Sequence, residues 1–553
     1  MSVRVGIAIN PIDNLSNWEL RIIKEIIDDS ELELSLLIED DLIDHTAVSN
    51  FLGIPMPKYL SANLMGRLLL SIQLHIEQTF FFKQTITVEV AELSLDLKKV
   101  KKVKRSLWNI DSTKLDNTGV AENTALLKLD VLLDLSANHG LKEYASLTKY
   151  GVWTLIHKDV ELKAMGPIGF WEVLNKKETI GCSLLGQNSE SDKIYSIDKA
   201  NFNRHWSCIE TKNIALEASV SVVLKNIRRL GDKDFEFDKC QEHIESAERL
   251  PTLLHVLKYI VGFKIGFAKK IVEKVRTKLF GTRFECWTFN VGQGQFLDVG
   301  LQNYKTAQLP KGEFWADPFL FKYNGLDYVF FENYSYKTNR GKISCAVIKN
   351  NELQHIEDAL DLDYHLSFPY IFEEGGVVYL MPETSENKRL EIYKAVDFPT
   401  KWELYSTAFE GEAVADAFFY TDLNKEKWLF LNKQAASVAP MNSELFIYKV
   451  ASLKLNNLQS HTQNPVIIDA RVARNGGAIF EHDKQVYRPS QRNVDGIYGR
   501  ALNINKIKEL TLNSYIEETE KVIEPEFDKN FVAMHHLHQT EDFFVFDSAF
   551  KKK

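Results

Sequence analysis

The sequence predicts an α/β domain with a parallel sheet at its N-terminal end, followed by an all-β domain that forms a five-bladed propeller. Three observations predict this arrangement. Residues 1–40 alternate between strand and helix patterns, residues 236–281 are helical in period and rich in lysine, and short strands recur from residue 282 onward with a period near 50 residues. Strands separated by helices indicate a parallel sheet, and the long period of several strands indicates a propeller.

Composition narrows the class of protein. A chain of 553 residues is too long for one hydrophobic core, and a net charge of −9 argues against a nucleic-acid partner, which would require a basic face. The five cysteines are widely spaced, which indicates reduced thiols and no cysteine-based metal site. The N-terminal residues enter a strand pattern directly, and no apolar run reaches the roughly 18–20 residues that span a bilayer. We therefore predict a cytoplasmic protein, and we name no metal ligand.

The first domain is predicted over residues 1–235. VRVGIAI (3–9) and LELSLLIED (32–40) are apolar runs typical of buried strands, and the segment between them, NWELRIIKEIIDD (17–29), has apolar residues at helical spacing. Further strands are predicted at 129–137, 150–157 and 179–187, and a helix at about 208–230. This order of strand, helix and strand predicts βαβ units.

A helical linker is predicted over residues 236–281. Its core, LPTLLHVLKYIVGFKIGFAKKIVEKVRTKLFG (250–281), combines apolar residues at helical spacing with many lysines. Two interpretations stay open. Residues 251–280 form an amphipathic helix that makes peripheral contact with an anionic membrane, or they form an interdomain helix whose lysines face water.

The propeller is predicted over residues 282–553. Similar units begin at Ala316, Ser367, Ala415, Asn475 and His535, each starting with a corner that leads into an apolar strand. The innermost strand of each blade lines the central channel of a propeller. The residue at each corner is therefore expected to face a shared pocket, while its identity changes from blade to blade.

Polar residues near these corners are the candidate site. The carboxylates Asp317, Glu383 and Asp416 fit inverting glycosidic cleavage, in which one acts as base, one as acid and one tunes a pKa. Arginines in the channel favour an anionic ligand such as a sugar phosphate or a uronic acid. The residues expected to bind substrate are His365, Arg471, Arg474, Arg488, Tyr498, Arg500 and His535. The alternative is that the aspartates simply form turns.

Residues 282–550 resemble a known domain through the segments WADPF, HLSFPYIFEEGGVVYLMPETSEN, AVDFPTKWEL, DARVAR, YRPSQ and YGRAL. The domain is the N-terminal one of glucosamine inositolphosphorylceramide transferases, and it is in turn similar to the propellers of glycoside hydrolase family 43. The resemblance implies that Asp317 matches the catalytic Asp of the first blade. The second unit has Phe368 and Pro369 at the matching place, and the fourth has arginines and glycines, so glycan binding or transfer is implied at least as strongly as hydrolysis.

Residues 130–196 resemble formyltransferases that use 10-formyltetrahydrofolate. His157 ends a strand, Asp192 lies 35 residues later, and GPIGFWEVLNKKETIG (166–181) matches the loop and helix of that family. The resemblance implies a Rossmann-like sheet, 10-formyltetrahydrofolate as cofactor, and catalytic roles for His157 and Asp192. The Asn that the family has two residues before the His is Leu155 here, which cannot donate to an oxyanion.

Together these patterns predict a carbohydrate-active protein of surface-polysaccharide or glycolipid biosynthesis. It is expected to bind a glycan or a nucleotide-linked amino sugar in the propeller channel and to transfer a formyl group in the first domain. Two alternatives stay open, an inverting glycoside hydrolase with a scaffold N-terminal domain and a non-catalytic glycan-binding module.

Overall fold

The computed structural model describes residues 2–40, 48–51, 54–82, 87–105, 128–136, 144–145, 148–158, 165–187, 194–232, 241–242, 249–280, 285–301, 303–434 and 441–551. Asp192, one of the residues expected to act in formyl transfer, lies outside these ranges. The chain divides into two compact units, with the boundary between Lys264 and Ile265. Each unit is described by itself.

The N-terminal unit is built on one eight-stranded sheet with two helices, α1 and α5, packed together. Its elements in chain order are β1 (Val3–Ile9), α1 (Asn17–Asp28), β2 (Leu32–Glu39), β3 (Val48–Phe51), β4 (Ile54–Pro57), α2 (Leu64–Ile76), α3 (Val90–Asp96), β5 (Lys101–Lys104), β6 (Val131–Asp134), β7 (Val152–Ile156), α4 (Phe170–Leu174), β8 (Thr179–Gln187), β9 (Ile194–Asn203), α5 (Cys208–Arg229), β10 (Gln241–Glu242) and α6 (Leu253–Phe280), which crosses the boundary.

The predicted parallel sheet is confirmed for five strands. The strand order is β10-β9-β8-β7-β6-β1-β2-β5, and the pairs from β7 to β5 are parallel. The strands β8, β9 and β10 extend the sheet in antiparallel fashion. Helix α1 begins with a capping box between Ser16 and Glu19 and buries Ile22, Ile23 and Ile26, which explains the helical spacing of its apolar residues.

The described residues of the C-terminal unit form five separate sheets. Its elements are β11 (Glu285–Gln293), α7 (Phe296–Val299), β12 (Lys305–Thr306), β13 (Glu313–Tyr323), β14 (Leu326–Ser335), β15 (Arg340–Lys349), β16 (Glu352–Leu360), β17 (Ser367–Glu374), β18 (Val377–Glu383), β19 (Leu390–Asp397), β20 (Lys401–Ala408), β21 (Val414–Thr421), β22 (Lys427–Lys433), β23 (Glu444–Val450), β24 (Leu458–Ser460), β25 (Ile467–Ile468), β26 (Phe480–His482), β27 (Gln485–Arg492), β28 (Ala501–Leu510), β29 (Tyr515–Ile523), β30 (Phe531–Ala533), β31 (Leu537–Gln539) and β32 (Phe543–Lys551).

These sheets are the blades of a propeller, so the predicted five-bladed architecture is confirmed. Four blades are consecutive in the chain, namely β13–β16, β17–β20, β21–β25 and β26–β29. The fifth combines β30, β31 and β32 with β11 and β12 from the start of the unit. Strand β11 pairs with β32 over their whole length, from Glu285 with Lys551 to Gln293 with Phe543. This pairing closes the ring by joining its two ends in one blade.

Candidate functional site

Three blades place one residue each at a strained corner of the innermost strand. Asp317, Phe368 and Asp416 have positive φ angles of 50°, 43° and 48°. Each lies at a β-bulge, where the register of the first strand against the second shifts. Such a conformation costs a non-glycine residue about 1–3 kcal/mol, and bulges re-aim side chains. The repeat therefore holds a fixed backbone shape, while the side chain at the corner differs between blades.

The second strand of each blade adds a further polar side chain beside the corner. The small residue before each corner pairs with Glu332 in the first blade, Glu383 in the second and Asn432 in the third. Glu332 was missed by the sequence analysis. In the sequence, Glu332 is marked only as an acidic residue that follows the apolar run VFF in β14. Its position in the blade matches that of Glu383.

A cavity of about 350 Å³ opens among these residues. Four carboxyl groups line it, those of Glu273, Asp317, Glu332 and Glu383, together with the basic or titratable side chains of His365, Arg474 and His535. The rest of the wall is largely aromatic and includes Trp287, Phe314, Tyr336 and Tyr498. Of the residues expected at the site, the structure thus brings together Asp317, Glu383, His365, Arg474, Tyr498 and His535.

Asp317 is almost fully buried at the edge of this cavity. Its backbone N–H donates to Asp547 Oδ2 over 3.2 Å, and its own Oδ2 accepts the backbone N–H of Phe368, also at 3.2 Å. Burial raises the pKa of the Asp317 carboxyl to about 7, because the nearby His535 only partly offsets it and the Asp547 charge adds to it. Near neutral pH the group therefore exchanges a proton readily.

His535 and Asp547 form a buried ion pair behind Asp317. His535 Nδ1 lies 2.5 Å from Asp547 Oδ2, and Nε2 lies 3.8 Å from Asp317 Oδ1. The imidazole stacks on Trp287, with 4.1 Å between the ring centroids. Burial alone would lower the pKa of His535, but the Asp547 carboxylate outweighs burial and the pKa is raised. Asp547 also accepts the backbone N–H groups of His535 and His536, and its pKa is lowered despite burial.

Asp416 lies beneath the cavity and is neutralised by Arg474. Arg474 Nε lies 2.6 Å from Asp416 Oδ2, and Nη2 lies 3.5 Å from Glu383 Oε2. The guanidinium also packs over the ring of Tyr498, 5.2 Å from its centroid. Burial raises the pKa of the Asp416 carboxyl to about 7, against the opposing effect of Arg474. Asp416 therefore positions Arg474 and does not itself line the cavity.

Glu332 and His365 form a second polar pair in the wall. Glu332 Oε1 lies 3.5 Å from His365 Nε2, and His365 Nδ1 accepts the backbone N–H of Gly341 over 2.8 Å. A neutral His365 therefore has its proton on Nε2, facing Glu332. Burial, with added repulsion from Asp317 and Glu383, raises the pKa of Glu332 well above its usual range. The raised pKa favours the protonated form of Glu332, the form that can donate a proton.

Within the described part of the propeller, three arginines expected at the site lie away from the cavity. Arg471 pairs with Asp469 at 2.6 Å, and Arg500 lies 3.1 Å from Glu524. Arg488 is fully buried, pairs with Glu517 at 2.5 Å and donates to the carbonyl of Val472. Each guanidinium has a carboxylate partner of its own, which explains why three basic residues near one corner do not converge.

The buried cluster of Asp317, His535 and Asp547 has the donor atoms for a metal ion. One ligand atom each from Asp317, His535 and Asp547 lies within 4.8 Å of the others. Carboxylate oxygen and imidazole nitrogen are common metal donors. Asp547, like Glu332, was missed by the sequence analysis, because nothing in FFVFDSAF distinguishes a buried acid on a strand from a surface one.

In the N-terminal unit, His157 follows directly after β7 and is buried. Its Nε2 lies 2.9 Å from Ser219 Oγ on α5, and its ring meets the edge of Trp18. Leu155 is also buried, at the position where a donor to an oxyanion was sought. The described surroundings of His157 are those of a packed core histidine.

Comparison with known proteins finds a similar family for the propeller sequence. Residues 302–542 match the family model described as glucosamine inositolphosphorylceramide transferase 1, N-terminal. The chain is 32% identical over 219 residues to glucosamine inositolphosphorylceramide transferase 1 of Arabidopsis thaliana, an alignment that covers 39% of this chain and 28% of that protein. The protein of the same name in Oryza sativa subsp. indica is 32% identical over 208 residues, covering 37% and 27%. The chain thus spans under a third of the length of these curated relatives.

Solved structures with a similar arrangement include carbohydrate-active enzymes. A thermostable family-43 glycoside hydrolase matches 42% of this chain and 88% of its own, with 12% identity and a TM-score of 0.33. A family 117 glycoside hydrolase from Zobellia galactanivorans matches 48% and 90%, with 11% identity and a TM-score of 0.32. The predicted resemblance of the propeller to the transferase domain is confirmed by the family model.

Proposed function

We propose that the propeller binds a sugar that carries an amino group, and that the protein acts in the biosynthesis of a glycolipid or surface polysaccharide. The observation that carries this proposal is the cavity, in which four carboxyl groups face aromatic rings. Pockets for small molecules typically combine apolar walls with a few polar groups that fix orientation. Aromatic side chains such as those in this wall suit the C–H groups of a sugar ring, and the carboxyl groups suit its hydroxyl and amino groups.

The charge balance of the cavity favours a cationic sugar over an anionic one. Arg474 is already paired with Asp416, and His535 is already paired with Asp547. Both of these partners lie outside the cavity lining, although Arg474 also reaches Glu383 over 3.5 Å and His535 reaches Asp317 over 3.8 Å. The four carboxyl groups of the lining therefore share two cations that are already paired with other carboxylates. An ammonium group would form charge-assisted hydrogen bonds with these carboxylates. A sugar phosphate or a uronic acid, the anionic ligand expected from the arginines, stays the alternative ligand.

The relatives point in the same direction. Those from Arabidopsis and rice are named glucosamine inositolphosphorylceramide transferases, and the name contains an amino sugar and a lipid. The family model that matches residues 302–542 carries the same name. This supports glycolipid assembly, with the propeller as the part that handles the sugar.

The amino-sugar proposal predicts an order of affinity. Ligand-detected NMR titration of the full chain is expected to show tighter binding of glucosamine than of N-acetylglucosamine or glucose, because only glucosamine has an ammonium group. Glu383→Gln is expected to weaken glucosamine binding about 10- to 100-fold, since a hydrogen bond to a charged group contributes roughly 1.5–3 kcal/mol.

Glu403→Gln is the matched control, because Glu403 is exposed on the outer strand β20. It is expected to leave the affinity unchanged. Equal affinity for glucose and glucosamine, or tighter binding of glucuronic acid, would refute the selection for an ammonium group.

An inverting glycoside hydrolase is the second candidate, favoured by the pKa of Asp317. A carboxyl group with a pKa of about 7 is well matched to act as a general base at neutral pH. Two features weigh against it. Phe368 occupies the corner of the second blade, and Asp416 is engaged by Arg474. A non-catalytic binding module would show sugar affinity without turnover.

Formyl transfer by the N-terminal unit stays a separate prediction, as does a cytoplasmic location. A calorimetric titration of a stable formyl-tetrahydrofolate analogue into the full chain tests the former. Formyl transfer predicts micromolar binding that is weakened in His157→Gln but not in Ser219→Ala, which removes only the hydroxyl partner of His157. If neither the folded parent chain nor folded Ser219→Ala binds the analogue, a working cofactor pocket is excluded.

A further inference from the structure

Helix α6 exposes a continuous row of apolar side chains. Six apolar side chains of this helix are each between 44% and 70% exposed, namely those of Leu257, Val261, Ile265, Val272, Val275 and Leu279. They follow one another at intervals of three, four or seven residues, so they lie along one face of the helix, which we call the apolar stripe. Exposed apolar patches of this extent on a protein surface mark interaction sites.

The opposite face of the helix is anchored in the N-terminal unit. Val256, Tyr259 and Phe263 are buried, and the Tyr259 hydroxyl donates to Glu77 Oε1 over 2.7 Å. At 100° per residue these three positions lie on the far side of the helix from the apolar stripe. The first turns of the helix are therefore fixed in place, and the stripe faces away from the core that holds them.

Basic residues flank the apolar stripe on both sides. Lys258, Lys269 and Arg276 follow one edge at helical spacing, and Lys264 and Lys278 follow the other. The helix has seven lysine and arginine residues and one acid, Glu273, a net charge of +6, although the whole chain has a net charge of −9. Five of the seven basic residues thus flank the apolar stripe, while Lys270 and Lys274 lie on the other side of the helix.

We propose that α6 binds peripherally to an anionic lipid surface, with the apolar stripe at the level of the acyl chains and the flanking lysines at the headgroups. A helix with an apolar face edged by lysines lies in the plane of a membrane interface. Each lysine near an anionic surface adds to the attraction. Among the described helices, none is both long and apolar enough to cross a bilayer.

Charge selects the lipid surface over a second copy of the chain. Two α6 helices packed stripe to stripe would bring together two groups of six net positive charges, which repel each other. An anionic membrane neutralises the same charges. The stripe therefore fits a lipid surface better than it fits itself.

The position of Glu273 gives the membrane contact a consequence, which rests on the proposed function. Glu273 belongs to α6 and also lines the sugar cavity. If α6 lies on the membrane, the cavity lies next to the membrane surface. A sugar linked to a lipid could then reach the cavity. The binding of α6 to lipid does not depend on the cavity, so the two proposals fail separately.

Vesicle flotation of the full chain tests the proposal. We expect the protein to float with vesicles of phosphatidylcholine and phosphatidylglycerol in equal amounts, to bind vesicles of phosphatidylcholine alone far more weakly, and to dissociate in high salt. Val272→Glu is expected to abolish flotation, and Lys269→Glu to lower vesicle affinity on the order of tenfold.

Leu423→Glu and Lys529→Glu are the matched controls. Leu423 is 87% exposed in a turn of the propeller, and Lys529 is exposed in a loop, so neither belongs to α6. Both variants are expected to float like the parent chain, and the unchanged melting temperature of every variant shows that each is folded. Absence of flotation, flotation unaffected by Val272→Glu, or a dimer in light scattering that Val272→Glu dissociates would each overturn the proposal.

Discussion

Arg474→Met is expected to lower the free energy of unfolding of the propeller by about 3–5 kcal/mol at neutral pH, the usual cost of removing one partner from a buried ion pair. The cause is Asp416, which is 2% exposed and would be left without its cation, and Glu383 would lose the same partner. Urea unfolding followed by tryptophan fluorescence measures the loss. The loss should shrink at acid pH, because a protonated carboxyl group costs less to bury.

Arg471→Met is the control for this prediction. Arg471 lies three residues away and pairs with Asp469, but its side chain is 41% exposed. An exposed pair of this kind contributes about 0–1 kcal/mol. Equal losses in the two variants would show that Arg474 is not the residue that stabilises the buried carboxyl groups.

Under the hydrolase proposal, Asp317→Asn is expected to abolish turnover and to weaken sugar binding less than Glu383→Gln does, because the Asp317 carboxyl, with a pKa of about 7, is already partly protonated near neutral pH. Loss of a general base typically lowers turnover about 10²- to 10⁴-fold. Asn has the same shape as Asp and can still accept the backbone N–H of Phe368, so the corner is retained. The assay measures the turnover of 4-nitrophenyl glucosaminide, that is, the release or transfer of its sugar. Turnover and glucosamine affinity are measured in both the parent chain and Asp317→Asn.

Asp363→Asn, at an exposed position, is the control and should behave as the parent chain does. Full activity in Asp317→Asn would exclude Asp317 as the proton acceptor. Binding without turnover in both chains would identify the propeller as a binding module.

The same variant has a pH signature in stability. The pKa of Asp317 is about 7 in the folded chain and 3.8 as the ordinary value, so between these limits the folded chain holds a proton that the unfolded chain has released. The free energy of unfolding contributed by this group therefore falls as the pH rises from about 4 to about 7. Asp416 contributes with the same sign. Asn does not titrate, so the stability of Asp317→Asn relative to the parent chain should rise between about pH 4 and about pH 7 and stay constant above that. A difference that is constant with pH would contradict the raised pKa.

Much of the fold was predictable because its signals are local. The corner, the strand and the turn that open each blade lie within about twenty residues, so a repeat of this unit is visible in the sequence, and Asp317, Asp416 and Phe368 were found at equivalent corners. The strands of the N-terminal sheet are short apolar runs and were found in the same way. The closure of the ring was missed, because β11 and β32 pair across the whole propeller and neither resembles the other.

The cavity shows where local signals end. Glu332 and Asp547 lie on second strands, and they face the centre only because the pairing register turns them that way. Arg488 was expected to bind substrate, yet Glu517, 29 residues later in the chain, neutralises it in the core. A sequence shows that a side chain is charged, but the partner that neutralises it is found by packing between distant strands.

Residue order alone predicts the strands, the helix α6 and the repeat of the blades. Backbone geometry links strands to a spacing of two residues and helices to about 3.6, and the blades recur with a period near 50 residues. Three properties of the cavity depend on groups that are far apart in the chain and that the ring of blades buries together. These properties are its acidic balance, the raised pKa of Asp317 and the pairing of Arg474 with Asp416. Burial strengthens charge interactions and shifts pKa values, so these properties depend on the assembled propeller.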